Sequence, residues 1–311
     1  MRIVFMGTTE FGVPSLRALH EKYNIAGVVT RADSKKGRGR KSGPSPVKTA
    51  ALEMGLDVLE PEKLSDGDFL AKLKQLEADL FFVIAFRILP KEVFAIPPKG
   101  TVNLHASLLP DYRGAAPINH AVINGDEITG LTTFLINESI DTGDIIRKEQ
   151  VSIGPNETSG ELAGRLSETG RELTLKTVEM IDNGTAIIEK QPMTALRPAP
   201  KLFKSDGLID WSKDARSIHN QVRGMNPAPG AYTECTKGPL KIHRTVIVEE
   251  TSHGTPGMVT ETSQKDGFAV SCGTGSLKIL EIQPPGKKAM DCGSYIRGCR
   301  LMETGMNVCE L

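Results

Sequence analysis

The 311-residue chain contains no apolar run long enough to cross a bilayer as a helix. Its first residues enter a strand pattern, Arg2-Ile3-Val4-Phe5-Met6, without the basic segment and long apolar stretch of a secretory leader. A cytoplasmic protein with no membrane partner is expected. Net charge is also missing. The 38 Lys and Arg balance 38 Asp and Glu, so the chain as a whole lacks the positive field of a general nucleic-acid binder. Cysteine is scarce: Cys235, Cys272, Cys292, Cys299 and Cys309 all lie in the last third, with no Cys-x-x-Cys pair. That spacing argues against structural zinc and a disulfide framework, and for reduced thiols. Gly7-Thr8-Thr9-Glu10-Phe11-Gly12 lacks Gly-x-Gly-x-x-Gly, which argues against NAD and for a plain glycine turn into a helix. Asp141-Thr142-Gly143 occurs once, whereas the aspartic-protease dyad needs two copies.

What is present is ordinary globular material, 39% hydrophobic and 24% charged, at a length sufficient for two cores. Short apolar runs at Ile3 to Met6, Ile25 to Thr30, Leu80 to Ala85, Thr101 to His105 and Leu131 to Ile136 read as strands covered on both faces. Helical spacing separates them at Gly12 to Tyr23 and Phe69 to Ala78, and Ser45-Pro46 reads as the cap and first position of a helix over Val47 to Met54. This alternation predicts an α/β domain with a Rossmann-like, doubly wound, mostly parallel sheet. Thr158 to Asp182 reads as a long helix opened by Asn156 or Thr158 and stopped by Asn183-Gly184.

Beyond it the pattern changes. The Pro-broken stretch from Gln191-Pro192 to Arg197-Pro198-Ala199-Pro200 reads as a linker. A helix at Ala215 to Gly224 is followed by short alternating segments, Leu240 to Val248, Gly257 to Thr262, Phe268 to Cys272 and Leu277 to Gln283, which suit a small β-barrel. The expected division is 1–189, linker 190–206, and 207–311. One local charge concentration stands out. From Arg31 to Lys48 the chain carries seven Lys and Arg against one Asp, broken by glycines and prolines. Such a run reads first as a solvated loop, yet a loop of this kind can also clamp phosphates.

The chemistry is concentrated in Asn103-Leu104-His105-Ala106-Ser107-Leu108-Leu109-Pro110. Asn103 and His105 stand two apart on a strand, so they share a face while Leu104 packs behind. An amide donor beside an imidazole suits stabilisation of a developing oxyanion. Asp141 lies in a turn between two apolar runs, Leu131 to Ile136 and Ile145 to Val151. A carboxylate brought beside an imidazole orients the ring and favours its charged form.

This set resembles the active site of the folate-dependent formyltransferases, whose sites use Asn, His and Asp at this spacing with a Ser-Leu-Leu-Pro loop. Met6-Gly7-Thr8 with Phe11-Gly12, Gly37-Arg38-Gly39-Arg40-Lys41 with Pro44-Ser45-Pro46-Val47-Lys48, Arg113-Gly114-Ala115-Ala116-Pro117 and Asp141-Thr142-Gly143-Asp144 are similar to members acting on methionyl-tRNA. So are Ile209-Asp210-Trp211, Asn226-Pro227-Ala228-Pro229-Gly230 and Gly286-Lys287-Lys288-Ala289-Met290, so the resemblance spans the chain. Two positions depart from it: Thr9 stands where the family often has Pro, and Arg87 near a position commonly held by Gly.

The resemblance implies formyl transfer from 10-formyltetrahydrofolate, without a metal, to the α-amino group of initiator methionyl-tRNA, by a monomer. It implies Asn103, His105 and Asp141 as catalytic residues. Folate contacts would come from Ser107, Leu108, Leu109, Pro110, Phe86, Arg87, Ile88 and Leu89. The basic loop residues Arg31, Lys35, Lys36, Arg38, Arg40 and Lys41 would meet tRNA, and 207–311 would form the family's open, oligonucleotide-binding-type barrel. Two other readings compete: a formyltransferase for a small amine such as glycinamide ribonucleotide or an amino-sugar, and a non-catalytic RNA-binding relative.

Overall fold

A computed structural model describes residues 1–33, 43–192, 197–251, 254–263, 265, 267–298 and 303–310. The first half alternates β1 (Arg2–Gly7), α1 (Val13–Lys22), β2 (Asn24–Val29), α2 (Pro46–Glu53), β3 (Val58–Leu59), α3 (Gly67–Gln75), β4 (Leu80–Ile84), α4 (Lys91–Phe94) and β5 (Thr101–His105). Then come β6 (Arg113–Gly114), α5 (Pro117–Ile123), β7 (Ile128–Leu135), β8 (Ile145–Ser152), α6 (Ser159–Asp182) and β9 (Pro198–Ala199). The remainder holds α7 (Ala215–Met225), β10 (Ala231–Thr233), β11 (Leu240–Glu249), β12 (Val259–Ser263), β13 (Gly267–Ser271), β14 (Ser276–Gln283), β15 (Met290–Asp291) and α8 (Cys292–Gly298). Two compact units divide the chain. One comprises Met1–Gly114, Thr129–Val151 and Ala163–Ala199; the other comprises Ala115–Ile128, Ser152–Leu162 and Pro200–Leu311.

The first unit is built on a seven-stranded sheet of order β3-β2-β1-β4-β5-β7-β8. Its first five strands are parallel, and β7 joins β5 antiparallel. The doubly wound, mostly parallel sheet is the expected one. All of β4 is buried, and alternate residues Val4, Met6, Phe81 and Val83 enter one core with Phe69 and Leu73 of α3. Helix entry follows local chemistry: the Ser45 hydroxyl accepts from Lys48 N at 3.0 Å, with Pro46 in the first turn. Because β1 to β5 run parallel, their carboxyl ends share one edge, where ligands of open α/β sheets bind. Asn103 and His105 end β5 on that edge.

The segment that reads as a linker is tied down at both ends. Glu189 pairs with Ile145, and β9 pairs in parallel with β6. Proline removes a donor without preventing such edge pairing.

The second unit carries a six-stranded antiparallel sheet, β10-β11-β14-β13-β12 with β15 added on β14. Its ordered path ends at β10 and β12, so the barrel is an open one. Ile218, Val222 and Met225 of α7 enter the core with Ile242, Phe268, Val270 and Ile279. Helix α5 lies against α7 at Gly224, where a Cβ would meet Ile123 Cγ1 at 2.4 Å and its backbone nitrogen at 2.9 Å. Buried His219 donates from Nε2 to the Pro155 carbonyl (3.1 Å), so Nδ1 accepts from the Thr245 hydroxyl (2.8 Å). Burial lowers its pKa and keeps the ring neutral. Burial pushes the thiols the other way: Cys235 rises to about 11, and Cys272 and Cys292 to about 12, so all three stay protonated.

Thr158 opens α6 with a reciprocal cap. Its hydroxyl accepts from Glu161 N (3.2 Å), and Glu161 Oε2 accepts from Thr158 N (2.9 Å). Thr158 and then Arg244 hold the Glu161 carboxyl at about 2, below its ordinary 4.5. A carboxylate depressed by folding contributes stability that is full above 4.5 and is lost as pH falls toward 2. The difference in denaturant midpoint between about pH 7 and about pH 3 should therefore shrink in Glu161→Gln. An unchanged difference would remove Glu161 from the acid limb.

Candidate active site

The site grows from the end of β5. Asn103 is half-buried, and its side-chain amide makes no hydrogen bond to a described residue. His105 is buried, and its Nε2 lies 2.9 Å from the carbonyl oxygen of Tyr112. A carbonyl only accepts, so Nε2 carries the proton and Nδ1 is the nitrogen left for chemistry. Nδ1 faces Asp141 Oδ2 at 3.8 Å. That gap is too long for a direct hydrogen bond and leaves both atoms available to a group entering beside them.

Asp141 sits in the turn between β7 and β8 with a left-handed backbone, φ 53°, which Asp tolerates better than most residues. Its Oδ2 accepts from Gly114 N at 3.0 Å. Gly143 is required two residues on, because a Cβ there would lie 1.6 Å from the Leu135 carbonyl oxygen. Gln191, 7% exposed, donates from Nε2 to the carbonyls of Asp141 (3.1 Å) and Gly143 (2.9 Å). Its Oε1 accepts from Arg113 Nε at 2.7 Å and from Arg113 Nη2.

The Ser107-Leu108-Leu109-Pro110 loop is held from below by Thr132 of β7. The Thr132 hydroxyl donates to Ser107 O (2.7 Å) and accepts from Leu109 N (3.1 Å). Ser107 spends its own hydroxyl on Asp111 O at 2.7 Å, and Leu109 is buried with Phe134 and Ile145. Leu108 and Pro110 remain half-buried. Thus Ser107 and Leu109 shape the loop, while Leu108 and Pro110 keep surface to offer.

The segment after β4 lies on the same sheet edge. Phe86 is half-buried, Ile88 is 74% exposed, and Leu89 belongs to the core. The Arg87 guanidinium donates to the carbonyls of Pro61 (2.8 Å) and Glu62 (2.9 Å) and lies 5.3 Å from the Phe86 ring. Burial, and secondarily Arg31, lowers its pKa. It pins one loop to another. Arg31 is exposed beyond β2, whereas Lys35, Lys36, Arg38, Arg40 and Lys41 lie outside the described residues. Among the described residues no group of three or more His, Cys, Asp or Glu could hold a metal ion, and no helix is long and apolar enough to cross a membrane.

Sequence reasoning passed over three contributors. Thr132 had a local signal, a polar residue inside an otherwise apolar strand. Tyr112 acts through its carbonyl, which no residue type announces. Gln191 stands inside the segment that reads as a linker.

Residues 1–178 match the family model described as formyl transferase, and residues 201–300 match formyl transferase, C-terminal domain. The chain is 46% identical over 308 residues to the methionyl-tRNA formyltransferase of Clostridioides difficile strain 630, covering 98% of this chain and 99% of that one. The chain belongs to the methionyl-tRNA formyltransferase family. It is likewise 46% identical to the methionyl-tRNA formyltransferase of Clostridium novyi strain NT, over 96% of this chain and 97% of that one. A solved N-formyltransferase from Helicobacter canadensis, in complex with folinic acid and dTDP-3-aminofucose, shares the fold at TM-score 0.68 and 22% identity. That match covers 89% of this chain and 98% of that one.

The loop after β5 yields a test. Thr132→Val keeps volume but leaves buried Leu109 N without its acceptor, which should cost about 1–3 kcal/mol. Equilibrium denaturation measures it, and a loss close to zero would mean the loop is held by other contacts.

Proposed function

We propose that the chain transfers a formyl group from 10-formyltetrahydrofolate to the α-amino group of initiator methionyl-tRNA, with Asn103, His105 and Asp141 as the catalytic set. The observation that carries this reading is the approach of His105 Nδ1 to Asp141 Oδ2 at 3.8 Å, on the strand end that also carries Asn103, whose amide makes no hydrogen bond to a described residue. Two N–H donors at one strand end suit an oxygen that gains charge, and the exposed Ile88 with half-buried Phe86 offers apolar surface on the same edge. The folate cosubstrate supplies the formyl carbon and accepts a proton on N10 as it leaves.

Even a free α-amino group titrates near ~7.7–8.0, and the electron-withdrawing ester of an aminoacyl-tRNA lowers this further, so the acceptor amine is substantially neutral at physiological pH. No enzyme nucleophile is needed, which fits thiols held protonated by burial. The amine lone pair attacks the formyl carbon while the C=O π pair moves to oxygen. Asn103 and protonated His105 Nδ1 donate to that oxygen. One proton leaves the new ammonium, the C–N10 bond breaks with its electron pair on N10, and N10 takes one proton. Asp141, beside Nδ1, holds the ring and passes the proton, directly or through water. Charged tRNA as acceptor supports a cytoplasmic enzyme.

The acceptor follows from full-length similarity to methionyl-tRNA formyltransferases, which favours tRNA over a small amine. The basic loop Arg31, Lys35, Lys36, Arg38, Arg40 and Lys41 supplies phosphate contacts, and residues 207–311 supply the second RNA surface. Assaying formyl transfer to charged initiator tRNA beside glycinamide ribonucleotide separates the readings. Transfer to the small amine alone would overturn this one, and transfer to neither would leave an RNA-binding protein.

Loss of one oxyanion donor typically lowers turnover by ~10²–10³. His105→Asn and Asn103→Ala should each fall in that range with folate binding nearly unchanged. Near-normal kcat in both would sink the site.

Each phosphate contact contributes about −0.7 to −0.9 to the slope of log affinity against log salt. Replacing Lys35, Lys36, Arg38 and Arg40 by Ser should flatten that slope and raise KM for tRNA, while transfer to a minimal amine stays the same. A wild-type salt slope would assign tRNA recognition to the barrel.

A further inference from the structure

Asp141 is useful only if its carboxylate stays opposite His105 Nδ1, and the turn that carries it has little intrinsic reason to do so. The residue is left-handed at φ 53°. Its neighbours in the turn bond elsewhere: Asn137 Oδ1 accepts from Ser139 N (3.0 Å) and from the Thr142 hydroxyl (2.9 Å). The Asp141 backbone is reached from outside the turn, by Gln191.

A glutamine amide has two N–H donors and an oxygen with two lone pairs. Gln191 uses all four: Nε2 serves the carbonyls of Asp141 and Gly143, and Oε1 serves Nε and Nη2 of Arg113. The circuit then closes on the carboxylate, because Gly114, next in the chain to Arg113, donates its N–H to Asp141 Oδ2 at 3.0 Å. Arg113 also donates to Pro192 O at 2.8 Å, which holds the Gln191 backbone beside it. One ring of hydrogen bonds therefore fixes both the main chain and the side chain of Asp141, with Gln191 buried and Arg113, Gly114 and Asp141 half-buried.

We propose that Gln191 is a positioning residue for formyl transfer, acting through Asp141 by way of the Gln191–Arg113–Gly114 circuit. The proposal rests on Asp141 being a member of the catalytic set. Gln191 touches no reacting atom. Its effect belongs to the chemical step, where displacement of a group by about 1 Å can cost on the order of 100-fold, and not to folate or tRNA affinity.

The test compares Gln191→Met, which keeps length and removes every polar contact, with Asp141→Asn and the double variant. Gln191→Met should lower kcat by roughly 10–100-fold, with either KM changed by less than about threefold. In the Asp141→Asn background the same change should cost less than about twofold, because residues acting as one unit are non-additive. Gln191→Glu keeps the Arg113 partner but turns an oxygen toward the two carbonyls, so its kcat should fall in the same way while its melting temperature stays near wild type. That variant carries the test if Gln191→Met does not fold. Wild-type kcat in Gln191→Glu, or equal costs of Gln191→Met in both backgrounds, would overturn the inference and leave a packing role. Near-normal kcat in Asp141→Asn alone would overturn the catalytic reading of Asp141 instead.

Discussion

The hydrogen bond from His105 Nε2 to the Tyr112 carbonyl is the constraint on which the site depends. A carbonyl cannot donate, so Nε2 keeps its proton and the ring exchanges protons only through Nδ1. Proton traffic is thereby confined to the side facing Asp141. The carbonyl is itself well placed because Tyr112 N donates to Arg197 O at 2.6 Å and the Arg197 guanidinium lies 4.6 Å from the Tyr112 ring. Backbone pairing of β6 with β9 continues the same contact. A segment far along the chain thus fixes which nitrogen of His105 is chemically available.

Much of this was legible in sequence. The five apolar runs coincide with β1, β2, β4, β5 and β7, while the two-residue β3 is not among them; the Ser45 cap and the doubly wound sheet follow from the sequence pattern, and Thr158 is one of two candidate caps for α6. Asn103 and His105 could be paired because strand periodicity is strict, and Asp141 because it stands in a polar turn between two apolar strands. The caps and the pairing of Asn103 with His105 on one strand needed only neighbouring residues, and the sheet needed only the order of the runs.

Other features were not legible, for a physical reason. Gln191 lies 50 residues from Asp141 and 78 from Arg113, and a hydrogen bond between such partners leaves no periodic trace. Its neighbourhood is proline-broken and reads as linker, although proline is compatible with a docked extended segment. Arg87 shows the same limit from the other side. The resemblance implies a folate contact there, and no local pattern announces that its Nη1 and Nη2 donate to the Glu62 and Pro61 carbonyls. Sequence reports what a side chain can bond to, and the fold decides where that capacity is spent.

The distribution of spent and unspent capacity separates the scaffold from the chemistry. The Ser107 and Thr132 hydroxyls, the Gln191 amide and Nε and Nη2 of Arg113 are bonded to protein partners, which orients them. The Asn103 amide and His105 Nδ1 make no hydrogen bond to a described residue, which costs stability unless a ligand satisfies them. A reaction that needs no covalent nucleophile puts its demands on the orientation of such groups. The bonded groups hold the Asp141 turn and the loop after β5 in place before any substrate arrives. In the proposed reaction that pre-organisation lets Asn103 and the His105 imidazolium meet the developing oxyanion, with Asp141 holding the ring, where water would otherwise have to reorganise.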